Sequence, residues 1–293
     1  MEKLTTLGYY NGAYGPLEEM TVPMNDRVCY FGDGVYEAAY VANYNIFTLD
    51  DHIDRMYRSA ALVEIEIAQT KEEMKAILRD LVTKVESPNQ LLYWQVTRGT
   101  AMRNHVYPDP AVPANFWVTI KPLPVKNAYQ KVKLITADDT RFFHCNIKTL
   151  NLLINCMVSE KAKRAGCDEA VLHRGDRVTE CAHSNVSILK DGALCTAPTD
   201  NLILPGITRA HLIANCKKLG IPVIEEPFTL DDLRNADEVL ISSSTAFVRS
   251  ASEIDGTPVG GKAPELLKKI QDAMRQEFID ATGIAPSEVP DKA

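Results

Sequence analysis

The sequence predicts an α+β fold in two domains, a smaller N-terminal one and a larger C-terminal one. Three observations predict it. Strand-like segments rich in β-branched and aromatic residues are mixed with amphipathic helical segments along the whole chain. Prolines at 108, 110, 113, 122 and 124 interrupt that pattern and mark a linker. The 293 residues suffice for two cores of modest size. The expected division is residues 1–121, a linker at 122–130, and a second domain from 131 to 293.

In the first domain, Val28-Cys29-Tyr30-Phe31 reads as a strand that runs into Gly32-Asp33-Gly34, and Val35 to Val41 resumes the strand pattern. Asn43-Tyr44-Asn45 is the expected hairpin turn before Ile46-Phe47. Thr48 stands where a helix N-cap belongs, with Asp51 three residues on as a variant capping box. The apolar face of that helix is Ile53, Met56, Tyr57, Ala60 and Ala61. A second amphipathic helix over 71–85 carries Met74, Ile77, Leu78 and Leu81, and strands follow at 91–98 and 114–121. The second domain has strands expected at 131–136, 169–172, 185–190 and 238–242. Its helices are expected at 151–165, 208–219 and 264–282, with Gly166 and Gly220 at C-terminal cap positions. The tail after Pro286 is expected to fray.

Apolar residues make up 45% of the chain and charged residues 24%, the composition of a soluble globular protein. Lys and Arg number 32 against 39 Asp and Glu, and the resulting net charge of −7 argues against nonspecific binding to nucleic acid or anionic lipid. No apolar run approaches the ~20 residues of a membrane helix, and the N-terminus lacks the apolar stretch of a secretory signal. The seven cysteines form no CxxC pair. They read as reduced, mostly buried thiols of a cytoplasmic protein, not as a disulfide or zinc framework.

Lys148 is the most informative single residue. From Phe142 to Val158 it is the only Lys, Arg, Asp or Glu. Loss of hydration lowers a lysine pKa, and a neutral amine attacks an aldehyde to form a Schiff base. The alternative is a lysine that snorkels its ammonium to the surface. Glu180 is a second isolated charge, with no Lys, Arg, Asp or Glu following until Lys190. A carboxylate in that setting needs a cation, either a protonated heterocycle nitrogen or the guanidinium of Arg174 or Arg177.

Leu204-Pro205-Gly206-Ile207-Thr208 runs into a helix whose positive end can take a phosphate, though Gly-x-Thr is also an ordinary helix start. Ser242-Ser243-Ser244-Thr245 ends a strand with a cluster of hydroxyl donors. Arg55 is either a fixed charge for the same anion or an exposed helix arginine. Arg103 and His105, separated by one residue, point to one side of an extended segment. With Tyr36 they are either a carboxylate trap or part of a solvated loop. The remaining histidines show no metal-ligand spacing, and no GxSxG, Walker or dinucleotide-binding glycine pattern is present.

Taken in order, Phe31-Gly32-Asp33-Gly34-Val35-Tyr36-Glu37, His52-Ile53-Asp54-Arg55, Thr97-Arg98-Gly99-Thr100 with Arg103-Asn104-His105, and Cys145-Asn146-Ile147-Lys148-Thr149-Leu150-Asn151 form a recognisable series. Val178-Thr179-Glu180 with Ser184-Asn185-Val186, and Leu204-Pro205-Gly206-Ile207-Thr208-Arg209, complete it. The series resembles the fold-type IV (branched-chain aminotransferase-like) pyridoxal phosphate enzymes, most closely their D-amino acid aminotransferase group, over nearly the whole chain. The resemblance implies a D-amino acid transaminase that passes an amino group, from a donor such as D-alanine or D-glutamate, to 2-oxoglutarate or pyruvate. Lys148 would hold pyridoxal 5′-phosphate as an aldimine and then act as general acid and base. Glu180 would pair with the ring nitrogen, and Leu204 would pack on the ring. Arg55, Ile207, Thr208, Ser243 and Ser244 match phosphate-binding positions. Tyr36, Arg103 and His105 match the substrate-carboxylate trap, the last two reaching in from the second subunit of a homodimer. Relatives of the aminodeoxychorismate lyase type, branched-chain L-aminotransferases and a non-catalytic binder of the same fold are the alternatives. One departure stands out: Cys181-Ala182-His183-Ser184 replaces the glycine and serine run of the D-specific group, with His183 expected as a buried structural histidine.

Overall fold

A computed structural model describes residues 3–286, so the expected fraying after Pro286 lies outside the described residues. Helices and sheets are mixed along the chain, as the α+β expectation has it, and the chain divides into two compact units. The first runs to Val125 and also takes Ile147–Asn151 and Ala281–Ile284; the second holds Lys126–Asn146 and Leu152–Asp280. The Lys148 segment thus belongs to the first unit although it follows the linker in sequence. Two backbone hydrogen bonds anchor it there: Tyr36 N–H donates to the Lys148 carbonyl at 2.9 Å, and Leu150 N–H to the Gly34 carbonyl at 3.2 Å. Val35 and Thr149 form an antiparallel bridge between these two bonds.

The first unit contains β1 (Leu7–Tyr10), β2 (Ala13–Pro16), α1 (Arg27–Phe31), β3 (Gly34–Ala42), β4 (Asn45–Ile46), α2 (Leu49–Leu62), α3 (Lys71–Val82), β5 (Gln90–Thr97) and β6 (Asn115–Pro122). Among the described residues its strands form one six-stranded antiparallel sheet in the order β2-β1-β6-β5-β3-β4. Strand period decides the faces. Val35, Ala39, Trp94, Val96, Phe116 and Val118 join Ile53, Met56, Met74 and Leu78 of the two helices in the core. Tyr36, Tyr93 and Trp117 take the opposite face and stay half-buried.

Three local expectations are corrected here. Val28 to Phe31 is helical, not a strand. Asp26 caps α1 by accepting the Val28 N–H at 2.9 Å, and Gly32 ends it at φ 62°, where a side chain would be strained. Those two local signals outweigh a β-type composition. Thr48 does begin α2, but it sits in the left-handed region and its hydroxyl donates to the Phe47 carbonyl instead of capping the helix. In this unit a capping box lies on α3, where Thr70 and Glu73 bond reciprocally. Finally, Ala61 is exposed, and a polar row of His52, Arg55 and Ser59 is buried beside Ile53, Met56 and Ala60. The hairpin expectation holds, with Asn43 and Tyr44 both at positive φ between β3 and β4.

The second unit contains β7 (Val132–Asp138), α4 (Leu153–Arg164), β8 (Glu169–Arg174), β9 (Arg177–Cys181), β10 (Asn185–Lys190), β11 (Ala193–Thr196), α5 (Ile207–Lys218), β12 (Val223–Glu225), α6 (Leu230–Asn235), β13 (Glu238–Ser243), β14 (Phe247–Ile254), β15 (Thr257–Pro258) and α7 (Pro264–Thr282). Among the described residues the strand order is β12-β11-β10-β13-β14-β7-β8-β9, with β15 on β14. The sheet has apolar residues on both faces. Val186, Ile188, Val239 and Ile241 belong to one core, while Leu189, Leu240 and Val248 meet Leu212, Ile213, Ile270 and Met274 of α5 and α7 in the other. All seven cysteines are free, but only Cys145, Cys181 and Cys216 are buried, fewer than expected. Among the described residues no helix is long and apolar enough to cross a membrane.

Candidate active site

In the first unit, β3 and α2 build a buried ionic cluster. Glu37 lies on the core face of β3, fully buried, and faces the polar row of α2. Arg55 grips it with a fork, Nε to Oε1 and Nη2 to Oε2, both at 2.7 Å. His52 Nδ1 lies 2.7 Å from Oε2. Burial alone would raise the Glu37 carboxyl; the Arg55 charge and fork, with His52, overcome it and hold the group at about 2. Arg55 is therefore not the exposed helix arginine of its alternative reading. Glu37 carries no distinct signal in sequence beyond its place after Tyr36.

The backbone of Lys148 is fixed on both sides. Its N–H donates to Ser59 Oγ at 3.3 Å, and its carbonyl accepts the Tyr36 N–H at 2.9 Å. The side chain is half-buried, and Nζ lies 4.1 Å from the centre of the Tyr36 ring. Among the described residues Nζ has no hydrogen bond and no carboxylate partner, so the amine is held over an aromatic face without an ion pair. Tyr36 in turn stacks on Tyr93 at 5.5 Å. Arg103 and His105 are exposed on the connection between β5 and β6, and their shared aromatic neighbour is Phe31, at 5.2 and 5.3 Å, instead of Tyr36.

In the second unit, Glu180 on β9 is buried, and the arginine that meets it is neither of the two expected. Arg174 bonds Asp139 and Arg177 bonds Asp200. The partner is Arg141, whose Nη1 donates to Oε1 at 2.6 Å. Oε2 accepts from Asn185 Nδ2 and from the Leu204 N–H, each at 3.0 Å. Arg141 is shared, because its Nε and Nη2 donate to Asp139 at 2.9 and 3.0 Å. Burial pushes the Glu180 carboxyl up, and half an arginine brings it back only to about 7.

Close by in sequence and structure, Gly206 caps α5 with no side-chain bond, which leaves the first N–H groups of that helix for an anion. A methyl group on Gly206 would lie 1.9 Å from Asn185 Oδ1, so only glycine fits beside the side chain that holds Glu180. Ile207 and Thr208 form the first turn and are buried; Leu204 precedes them with its carbonyl accepting from Asn185 Nδ2 at 2.9 Å. Ser243 ends β13 and Ser244 follows it, both half-buried. The neighbouring Ser242, directly opposite Asn185, has a buried hydroxyl with no bonding partner among the described residues.

His183 is not buried. Its side chain is 62% exposed, with Nδ1 against the buried Glu169 carboxylate. Burial would lower this imidazole, but the Glu169 contact raises it. The β9–β10 turn explains the exposure: Cys181 N–H bonds the Ser184 carbonyl at 2.7 Å, and the tight turn throws residue 183 outward. Among the described residues no three His, Cys, Asp or Glu side chains gather as a metal-binding group.

Residues 34–254 match the model of the amino-transferase class IV family. A protein of Listeria monocytogenes named D-alanine aminotransferase is 46% identical over 272 residues, covering 91% of this chain and 94% of that protein. A protein of the same name from Bacillus licheniformis is 41% identical, covering 93% and 97%. The crystal structure of the T.th. branched-chain amino acid aminotransferase with pyridoxamine 5′-phosphate superposes with a TM-score of 0.85 at 26% identity, covering 96% of each chain.

Proposed function

The chain belongs to the amino-transferase class IV family, and on that premise we propose that it is a pyridoxal 5′-phosphate-dependent transaminase that moves the amino group of a D-amino acid to a 2-oxo acid. D-Alanine and D-glutamate are the proposed donors, 2-oxoglutarate and pyruvate the proposed acceptors. The observation that carries this reading is the Lys148 amine, fixed through its backbone on both sides yet free of any ion pair among the described residues.

The donor set fits the cofactor. An unclaimed amine suits its aldehyde, an uncapped helix start with Thr208 and an orphan Ser242 hydroxyl suits its phosphate, and a half-neutralised carboxylate suits its ring nitrogen. When bound, pyridoxal phosphate supplies an aldehyde for the amino group and a protonated ring that draws electrons from the substrate Cα. Lys148 Nζ would hold the group through its aldehyde, and the same amine would take the proton from the substrate Cα and deliver it to the former aldehyde carbon, two bonds away across the substrate nitrogen. Glu180 keeps the ring nitrogen protonated, and Leu204 covers the ring. Arg55, the N–H groups of Ile207 and Thr208, and the hydroxyls of Ser243 and Ser244 bind the phosphate. Tyr36, with Arg103 and His105 of the partner subunit in a homodimer, binds the substrate carboxylate. Seven free thiols agree with a cytoplasmic setting.

Half-reactions of the holoenzyme with paired enantiomers test this. D-Alanine and D-glutamate are expected to bleach the cofactor absorbance at least about 100-fold faster than their L forms, and Lys148→Ala to abolish the D reaction. Equal rates for the two hands, or full turnover in Lys148→Ala, would sink the assignment.

A further inference from the structure

The connection that carries Arg103 and His105 is exposed, yet it is held at three points by buried cations. Arg27 is 2% exposed, and its Nη1 donates to the carbonyls of Asn104 at 2.7 Å and Val106 at 3.4 Å, the two residues that flank His105. Arg98 lays its guanidinium 3.5 Å from the centre of the Tyr107 ring while its Nη atoms donate to the carbonyls of Val63 and Glu64. One carboxylate joins the two arginines: Asp33 accepts from Arg27 Nε at 2.8 Å and from Arg98 Nε at 2.9 Å. On the other side of Gly32, the Phe31 ring receives Arg103 at 5.2 Å, His105 at 5.3 Å and Arg27 at 5.0 Å.

We propose that Asp33 and Phe31 are positioning residues for substrate-carboxylate recognition, Asp33 by bracing Arg27 and Arg98 against the 103–107 segment and Phe31 by seating Arg103 and His105. This rests on the reading of Arg103 and His105 as carboxylate-binding. The physical reason is preorganisation. A solvated loop that must order its two donors around a carboxylate gives up part of the binding free energy, whereas a loop already held at residues 104, 106 and 107 does not. Asp33 accepts the Nε–H of both guanidiniums on Oδ2, with Oδ1 also 3.1 Å from Arg98 Nε, while the Nη atoms hold backbone carbonyls, so one carboxylate couples the orientation of the two arginines. The Phe31-Gly32-Asp33 sequence thereby has a role distinct from that of Tyr36 and Glu37 just after it.

The test compares two amines on the holoenzyme, D-alanine and ethylamine, which lacks a carboxylate. Asp33→Asn and Phe31→Leu are each expected to raise the D-alanine concentration for half-maximal reaction about 10-fold or more, with the limiting rate and the ethylamine rate within about 3-fold of wild type. Propionate, a carboxylate that cannot react, should lose inhibition by a similar factor, and the affinity of the apoprotein for pyridoxal phosphate, read by fluorescence titration, should stay put. Phe31→Leu leaves the Asp33 ion pairs intact, so it answers the question if Asp33→Asn folds poorly. Equal slowing of D-alanine and ethylamine, or no effect of either substitution on D-alanine, overturns the proposal. A wild-type enzyme that treats D-alanine no better than ethylamine removes the carboxylate reading of Arg103 and His105 before any substitution is made, and the positioning roles with it.

Discussion

Two buried glutamates, one in each unit, meet arginine and are shifted in opposite directions from the ordinary carboxyl value. Glu37 receives a whole guanidinium fork and a histidine, and its carboxyl is held at about 2 despite burial. Glu180 receives one arm of an arginine whose other donors belong to Asp139, and its carboxyl rises to about 7. Burial is the same; the fraction of a cation is not. The first carboxylate is saturated and structural, whereas the second retains room for another positive charge. Charge stoichiometry, more than depth, separates a scaffold from a poised site.

The pH signs follow. Glu37 favours folding above its unfolded value of 4.5 and loses that contribution as the pH falls towards about 2. Glu180 works the other way: the unfolded carboxyl ionises near 4.5 while the folded one keeps its proton up to about 7, so stability declines as the pH rises between them.

The largest expected effect breaks the saturated pair. Glu37→Gln leaves Arg55 buried without its counter-charge and should cost about 3–5 kcal/mol in denaturant unfolding; a loss below about 1 kcal/mol would mean that the fork is not structural. Next, Glu180→Gln should lower the transamination rate about 10²–10³-fold while stability near neutral pH stays within about 1 kcal/mol, because Arg141 keeps Asp139. In the same variant the decline in stability between pH 4.5 and 7, measured against wild type, should vanish. If the slope persists, Glu180 is not its source. The smallest effect sharpens the contrast: His52→Leu removes one of Glu37's partners but leaves the fork, for about 1 kcal/mol, with catalysis little changed.

The residues of this contrast were unequally legible in sequence. Lys148 stands alone in the uncharged run from Phe142 to Val158, and no Lys, Arg, Asp or Glu follows Glu180 until Lys190, signals that local sequence displays directly. Arg141 lies one position before the run that isolates Lys148 and 39 residues from the carboxylate it serves, a separation that only the folded sheet closes. Glu37 hides because alternate strand residues face opposite ways, so its neighbour Tyr36 announces one side of β3 and nothing of the other. Most helices and the major strands were readable from periodicity, down to both ends of α7. Strands β1, β2, β9, β11, β12, β14 and β15 and helix α6 were not, being short or weakly alternating and supported by long-range pairing. At α1 the misreading came from giving side-chain type precedence over the Asp26 cap and Gly32.

The graft of residues 147–151 onto β3 also fixes a timetable. During synthesis the N-terminal strands leave the ribosome more than a hundred residues ahead of the pentapeptide that completes their edge, and such distant pairings close late. Until then the nascent polypeptide lacks the backbone bonds that hold residue 148 against β3, so the two sides of that anchor come together only once most of the chain has been made.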